Sequence, residues 1–179
     1  MKNIKPIDTY YKGYRFRSRL EARWAVFFDY MGIDWVYEEQ GYTFPDGTCY
    51  LPDFYLPESH TFFEVKGSLS EESAHKIELL LKAGCRVAVG YSVGTFQATV
   101  DDFGCGFSLE NFDNSAIAQC RKCGKYWFLG FTGDFTCPCC GEYDGDRHLN
   151  AVAHSGDLTD AVKTARGARF EHGETPEVV

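Results

Sequence analysis

The sequence predicts an α/β protein in which a mixed sheet flanked by helices is followed by a small cysteine-rich unit. The hydrophobic periodicity alternates between that of helices and that of strands over residues 18–90, and two Cys-x-x-Cys pairs follow within residues 119–141. The chain has 179 residues, of which 44% are hydrophobic, so it can bury one core domain and a small appendage. We expect the core to cover residues 1–115, the cysteine-rich unit 116–145 and a C-terminal tail 146–179.

Capping signals and apolar stripes predict two helices in the core. The first begins near Ser18, which has its capping-box partner Glu21 three residues later, and it ends at Gly32. Its apolar stripe consists of residues three or four positions apart, namely Leu20, Trp24, Phe27, Phe28 and Met31. The second helix is expected over residues 70–83, and a short helix in the tail over 157–170.

Runs of β-branched and aromatic residues predict short strands between and after these helices. Those before the second helix should form an antiparallel meander over residues 35–37, 41–44, 48–56 and 61–66. Residues 85–90 have the pattern of a buried strand, which the second helix would connect in parallel to 61–66. Residues 1–17 are expected to be irregular or extended, and residues 91–118 to contain one more strand near 107–109.

Composition and charge restrict the classes of protein that fit this sequence. No apolar run approaches the roughly 20 residues of a membrane helix, and no apolar stretch follows the N-terminal lysines as in a secretory signal. We therefore expect a cytoplasmic protein without a membrane partner. The net charge is −8, yet residues 1–24 carry seven Lys and Arg against two acidic residues. Such a segment can contact phosphates because charges beyond about 8 Å are screened, or it can serve solubility alone.

Asp53, Glu64 and Lys66 form the pattern with the clearest chemical meaning. Residues two apart on a strand face the same side, so Glu64 and Lys66 should project together while Val65 points into the core. If the strand after Asp53 pairs with that of Glu64, two carboxylates and an ammonium converge. Hard oxygen ligands of this kind hold Mg²⁺, which activates water and neutralises charge on a phosphate.

Each of these residues also has a structural interpretation. Asp53 follows a proline and fits a turn, and Lys66 fits a solvated charge that protects a sheet edge. Glu21 fits a helix cap that contributes about 1 kcal/mol. Glu64 is the hardest to explain in this way because it interrupts an apolar run, where an unpaired carboxylate is costly.

The segments Pro52-Asp53 and Glu64-Val65-Lys66 resemble the motif of the PD-(D/E)xK nuclease superfamily. The segment Arg-Ser-Arg-Leu-Glu-Ala-Arg-Trp at 17–24 looks like the first helix of such nucleases. The predicted order is similar to the α-β-β-β-α-β arrangement of the restriction-endonuclease-like core, and the resemblance covers roughly residues 10–92. It is closest to small phage or bacterial endonucleases of the junction-resolving type.

This resemblance implies a Mg²⁺- or Mn²⁺-dependent endonuclease that hydrolyses DNA. Lys66 would assist the attacking water, and the metal ligands would be Glu21, Asp53, Glu64 and the Val65 backbone carbonyl. Cleavage of two strands would favour a homodimer. As candidates for phosphate contacts we select four nearby arginines, Arg15, Arg17, Arg19 and Arg23.

The two Cys-x-x-Cys pairs, each followed by glycine, predict a structural Zn²⁺ site. Thirteen residues separate the pairs, which is the spacing of a zinc ribbon, and its ligands would be Cys120, Cys123, Cys137 and Cys140. Cys139 is an alternative to Cys140, although Cys-x-x-Cys geometry favours the latter. Four thiolates leave no open position for water, so this zinc should not be catalytic. The ribbon would grip DNA, dock on the core or bind a protein partner.

Two other functions compete with a nuclease. The first is a catalytically silent nucleic-acid-binding or adaptor module that keeps the fold. Intact Asp53, Glu64 and Lys66 argue against it. The second is a zinc-ribbon protein of transcription whose N-terminal half only resembles a nuclease.

Overall fold

The computed structural model describes residues 7–101, 107–109, 115–130, 136–143 and 156–170. Within these ranges the chain forms three helices and twelve strands, which confirms the predicted α/β class. The helices are α1 (Arg19–Met31), α2 (Glu71–Lys82) and α3 (Gly156–Gly167). The strands are β1 (Thr9–Tyr11), β2 (Tyr14–Phe16), β3 (Val36–Tyr37), β4 (Tyr42–Thr43), β5 (Cys49–Tyr50), β6 (Phe54–Leu56), β7 (Thr61–Val65), β8 (Arg86–Ser92), β9 (Thr95–Asp101), β10 (Phe107–Leu109), β11 (Ala116–Gln119) and β12 (Tyr126–Leu129).

Six strands form a mixed central sheet in the order β10-β9-β8-β7-β6-β3. Strands β7 and β8 are parallel and are joined by α2, as predicted, whereas the other neighbouring pairs in this sheet are antiparallel. The register places Phe54 opposite Phe63 and Glu64 opposite Val89. Because β6 and β7 run antiparallel, the residue before Phe54 lies beside the residue after Phe63, which brings Asp53 next to Glu64.

Helix α1 packs its aromatic stripe on one face of this sheet. Its predicted cap Ser18 and its predicted end at Gly32 are both confirmed. Trp24 and Phe28 contact the ring of Phe63 with centroid distances of 4.6 and 5.0 Å. These rings are fully buried, and their burial is the main favourable term that holds α1 on β7.

Helix α2 covers the opposite face of the sheet. Side chains alternate along β8, so that Val87 and Val89 pack with Ile77 and Leu80 of α2 while Ala88 lies in the cluster beneath α1. The sheet is therefore buried on both faces, as in a three-layer α/β/α arrangement.

Parts of the chain differ from the predicted pattern. Residues 1–17 were expected to be irregular or extended, and the described part of this segment is extended, but the hairpin β1–β2, whose turn places Lys12 and Gly13 at φ +46° and +83°, was not predicted. Strand β9 was not predicted. It extends the sheet beyond β8, and the strand that was predicted near 107–109 pairs with it as β10. Strands β4 and β5 form a separate two-stranded sheet instead of joining the meander.

The cysteine unit, which we define as residues 115–130 and 136–143, consists of two hairpin-like segments. The first contains the antiparallel pair β11–β12. The second is closed by an antiparallel bridge between Thr136 and Tyr143. The sequence also predicts a ribbon strand at 134–135, a segment that lies outside the described residues.

Two elements from the C-terminal half pack on the core. Phe128 of β12 contacts Phe63 and Phe96 of the central sheet with centroid distances of 5.2 and 5.1 Å. Helix α3, which was predicted over 157–170, packs against α1 and buries small side chains, namely Ala161, Ala165 and Ala168. In the described ranges, no helix has the length and apolar character needed to span a bilayer.

Candidate functional site

The ends of β6 and β7 bring Asp53 and Glu64 together, as the spacing predicted. Asp53 immediately precedes β6, and its backbone amide donates a hydrogen bond to Glu64 Oε1 over 3.2 Å. In return, the Val65 amide donates to Asp53 Oδ2 over 2.8 Å. These two crossed bonds fix both carboxylates beside the end of β7, where both are buried.

Lys66 supplies a cation between these carboxylates. Its Nζ lies 2.8 Å from Asp53 Oδ2 and 2.8 Å from Glu64 Oε2. The Lys66 amide donates to the Gly90 carbonyl over 2.9 Å, so the pairing of β7 with β8 continues to this residue and holds the root of its side chain. Strand alternation places Val65 in the core cluster beneath α1, as predicted.

The electrostatics of Glu64 follow from its complete burial. Burial and, next, the charge of Asp53 raise the pKa of Glu64 to about 7, against the lowering effect of Lys66. Burial lowers the pKa of Lys66, but the two carboxylates outweigh it and raise that pKa above its usual value. Lys66 is therefore charged at neutral pH, whereas Glu64 can exchange a proton for another cation there.

Arg17 forms the exposed edge of the cluster. Its Nη2 lies 3.2 Å from Asp53 Oδ1 and also pairs with Glu38 at 2.5 Å. The Arg17 side chain is 55% exposed, in contrast to 6% for that of Asp53. The guanidinium therefore lies between the buried carboxylate and solvent.

Glu21 serves as a helix cap and lies outside this cluster of contacts. Its carboxylate accepts hydrogen bonds from the Ser18 hydroxyl at 2.7 Å, the Arg17 amide at 3.0 Å and the Tyr37 hydroxyl at 2.6 Å. The Ser18 hydroxyl also accepts the Glu21 amide at 3.2 Å, so these two residues pair at the helix entrance as predicted, with the Arg17 amide in the place that the Ser18 amide has in a capping box. The predicted role of Glu21 as a metal ligand stays a prediction, and the link to the cluster runs through Arg17, which contacts Asp53.

The other candidate arginines have different surroundings. Arg15 is exposed and pairs with Asp8. Arg19 is the first residue of α1. Arg23 is half-buried, and its Nε has no hydrogen-bond partner among the described residues. Of the four, Arg17 is therefore the one whose contact with the Asp53 carboxylate is established.

The oxygen donors at the end of β7 fit a hard divalent cation. Glu64 Oε2 is buried and, although the Lys66 ammonium lies 2.8 Å away, it has no partner in hydrogen-bond geometry among the described residues. A buried acceptor in this state can accept a further donor or cation. Mg²⁺ commonly binds through one or two carboxylates and keeps several waters, so Asp53 and Glu64 suffice as its protein anchors. The Val65 carbonyl as a ligand stays a prediction.

Two tyrosines near this site were not identified from the sequence. The Tyr37 hydroxyl donates to Glu21, and the Tyr50 hydroxyl is buried beside Glu64. Burial and the Glu64 carboxylate raise the pKa of Tyr50 above its usual range, so the hydroxyl stays protonated. Nothing in the spacing of these residues marks them, since both contacts depend on how separate strands pack.

The four predicted cysteine ligands converge. The Sγ atoms of Cys120 and Cys140 are 3.6 Å apart, those of Cys123 and Cys137 are 3.7 Å apart, and all four lie within 4.8 Å of one another. Sulfurs placed tetrahedrally at about 2.3 Å from zinc are separated by roughly 3.8 Å. The cluster therefore has the size of a Zn²⁺ site, and Cys139 is exposed and outside it.

Two equivalent knuckles present these sulfurs. Gly124 donates its amide to the Cys120 carbonyl over 2.9 Å, and Gly141 donates to the Cys137 carbonyl over 2.8 Å. Both glycines have positive φ, +73° and +70°, which explains the glycine after each pair. Burial raises the pKa of the Cys120 and Cys137 thiols, and backbone amides that point at each sulfur lower it. The amides contribute to a net lowering of the Cys120 pKa to about 7, whereas burial dominates at Cys137 and raises its pKa to about 12. Such donors stabilise a metal-bound thiolate.

The cysteines and the carboxylates present different ligand chemistry. Within the described part of the chain, the four cysteines are the one group of three or more His, Cys, Asp or Glu residues that converge as potential metal ligands. The carboxylate pair offers hard oxygen atoms next to cationic side chains instead. Comparison of the sequence with models of known protein families and with curated proteins gives no match.

Proposed function

We propose that this protein is a Mg²⁺-dependent endonuclease that hydrolyses phosphodiester bonds in DNA. The observation that carries the proposal is the convergence of Asp53, Glu64 and Lys66 at the end of β7, with Lys66 Nζ 2.8 Å from each carboxylate. Two buried carboxylates and a cation are the groups that hydrolysis of a phosphodiester requires.

The order of the elements supports the same proposal. Helix α1 and the sheet strands β3, β6 and β7 are followed by α2 and β8. This is the α-β-β-β-α-β order that the resemblance to PD-(D/E)xK nucleases implies, with the β4–β5 hairpin inserted. Asp53 and Glu64 lie on adjacent antiparallel strands, where that motif requires them to meet.

Each residue has a distinct part in the proposed reaction. Asp53 and Glu64 would hold Mg²⁺, which when bound activates water and neutralises charge on the scissile phosphate. Lys66 would orient the attacking water and stabilise the negative charge that develops on the phosphate oxygens. Arg17 would bind a phosphate from the solvent side, since its guanidinium is the exposed edge of the cluster. Glu21 would hold the Arg17 backbone in place through its hydrogen bond to the amide.

The cysteine unit has a structural part in this proposal. Cys120, Cys123, Cys137 and Cys140 would bind one Zn²⁺ with no open position, as in a zinc ribbon. Phe128 of β12 packs against the sheet, so the bound zinc would stabilise the nuclease core directly. A cytoplasmic location fits the use of reduced thiols as ligands.

Cleavage of supercoiled plasmid DNA with Mg²⁺, compared with EDTA, tests the proposal. Wild type is expected to nick or linearise the plasmid only with the metal. Asp53→Asn and Lys66→Met should each lower the rate by about 100-fold or more, since each removes a group that acts on the transition state. Matched controls are Glu72→Gln and Lys82→Met on α2, which change exposed ion pairs and should leave the rate unchanged.

The assay also separates the proposal from a silent binding module. The observation that favours such a module is that Lys66 and Arg17 already neutralise the carboxylates without a metal. Linear, single-stranded and branched DNA should be included, because the same catalytic groups can act on each of these substrates. Equal absence of cleavage by wild type and Asp53→Asn on every substrate, together with retained DNA binding, would replace the nuclease by the binding module.

A further inference from the structure

The hydroxyl of Tyr50 is an unexplained buried polar group. Tyr50 lies on β5 and is 8% exposed, in a cluster with Ile77 and Leu80 of α2 and Val89 of β8. Its oxygen has no partner in hydrogen-bond geometry among the described residues. A buried donor without a partner is destabilising, so a purely apolar role would favour phenylalanine at this position.

Glu64 lies on the same face of the central sheet as the cluster around Tyr50. Its partner in the β7–β8 register is Val89, which packs in the cluster with Tyr50, and Glu64 Oε2 is a second buried atom without a partner in hydrogen-bond geometry among the described residues. After burial, the Glu64 carboxylate is the next contribution to the raised pKa of Tyr50. Oε1 of Glu64 accepts the Asp53 amide, and Oε2 faces Lys66 outside hydrogen-bond geometry. A carboxylate has about four acceptor positions, so room remains for the Tyr50 proton.

We propose that Tyr50 is a positioning residue that orients the Glu64 carboxylate for binding the divalent cation. This inference rests on the proposed function of the same site. A cation held by Glu64 would share the carboxylate with the Lys66 ammonium, which lies 2.8 Å from Oε2. A hydrogen bond from the Tyr50 hydroxyl would keep this carboxylate in one orientation.

The test is the affinity of the substrate-free protein for Mn²⁺, measured by calorimetry. Tyr50→Phe keeps the ring in the apolar cluster and removes only the hydroxyl. We expect its affinity for Mn²⁺ to be about 10-fold lower than that of wild type, as for other residues that orient metal ligands. The matched control is Tyr55→Phe on β6, which removes a hydroxyl that bonds His60 Nδ1 at 2.9 Å. It should bind Mn²⁺ like wild type.

A second measurement separates positioning from packing. Cleavage by Tyr50→Phe should fall at limiting Mg²⁺ and recover at saturating Mg²⁺, while its melting temperature in EDTA stays equal to or above that of wild type. Wild-type Mn²⁺ affinity in Tyr50→Phe would overturn the inference.

The same titrations distinguish failure of the inference from failure of the proposed function. If wild type binds Mn²⁺ and cuts no DNA, the nuclease proposal fails, while the weaker binding of Tyr50→Phe still supports the role of Tyr50. If neither wild type nor Glu64→Gln binds Mn²⁺, both the cation site and the inference are overturned.

Discussion

Lys66 and Asp53 form an ion pair of 2.8 Å in which the same ammonium also lies 2.8 Å from Glu64. One side-chain cation thus fills the space between two buried carboxylates. Together with Arg17, which pairs with the other Asp53 oxygen, it gives the two carboxylates two side-chain cations without a metal. It also means that a divalent cation bound by both carboxylates must compete with Lys66.

The first prediction concerns the stability of the metal-free protein. Lys66→Met leaves two carboxylates side by side in a buried position, which should cost about 3–5 kcal/mol of unfolding free energy in EDTA. Addition of Mg²⁺ should recover part of this loss, because the ion replaces the missing charge. Urea unfolding with EDTA and with Mg²⁺ measures both effects. The control Lys82→Met removes a pair with the exposed Glu78 and should change stability by less than about 1 kcal/mol.

The second prediction is a pH dependence. The pKa of Glu64 in the folded protein is about 7, above its ordinary value of 4.5. Between these values the folded state binds more protons than the unfolded state, so the contribution of Glu64 to stability is present at acid pH and is lost as the pH rises through about 7. Thermal unfolding in EDTA from pH 5 to pH 8 tests this. As the pH rises, the melting temperature of wild type should fall relative to that of Glu64→Gln. A difference between the two that stays constant with pH would contradict the prediction.

The third prediction separates two neighbouring cysteines. Cys140→Ser removes a predicted zinc ligand, whereas Cys139→Ser changes an exposed residue outside the cluster. Because Phe128 ties the cysteine unit to Phe63, loss of zinc should destabilise the whole protein by about 3–4 kcal/mol, or roughly 10 °C in melting temperature. Calorimetry and zinc analysis of the purified variants measure this. Loss of zinc from Cys139→Ser instead would show that the ligand set is different.

The sequence predicted the site better than the periphery of the fold. Alternation along one strand is sufficient to put Glu64 and Lys66 on the same side, and antiparallel pairing adds Asp53. The contacts of Tyr50 and Arg17 with these residues bridge separate elements. Local spacing carries no information about such contacts, because they depend on how the hairpin and the helix entrance pack.

The missed elements have a similar explanation. The β1–β2 turn uses Lys12 at φ +46°, where hairpins of this length commonly use asparagine, aspartate or glycine, so the usual signal is absent. Strand β9 is different, because the turn residue Gly94 and the strict polar–apolar alternation over 95–101 did mark it in the sequence. The contact of Phe128 with Phe96 could not be predicted, because it depends on where the central sheet lies relative to β12.

The fourth prediction tests the close contact of β8 with α1. A Cβ atom on Gly90 would lie 2.7 Å from ring atoms of both Phe63 and Trp24, so neither ring can be avoided. Gly90→Ala should cost about 1–3 kcal/mol through overpacking. It should also lower cleavage, because the Gly90 carbonyl accepts the amide of Lys66. The control is Gly67→Ala, which meets no atom within 4 Å and should not be destabilising. Chemical unfolding of both variants provides the comparison.

The last prediction concerns the exposed edge of the site. Arg17 holds Asp53 and Glu38 in the structure, yet more than half of its side chain is exposed. If it exchanges these carboxylates for a phosphate, Arg17→Gln should weaken DNA binding in Ca²⁺ and reduce the slope of log K against log salt concentration by about 1. Arg15→Gln, which loses only an exposed pair with Asp8, is the matched variant. Equal effects of the two substitutions would mean that the basic N-terminal segment attracts DNA diffusely. A selective effect of Arg17→Gln would mean that DNA binding draws Arg17 away from Asp53 and frees one of its oxygens. In wild type, DNA would then increase the affinity for the metal and the metal that for DNA, whereas Arg17→Gln would not show this coupling.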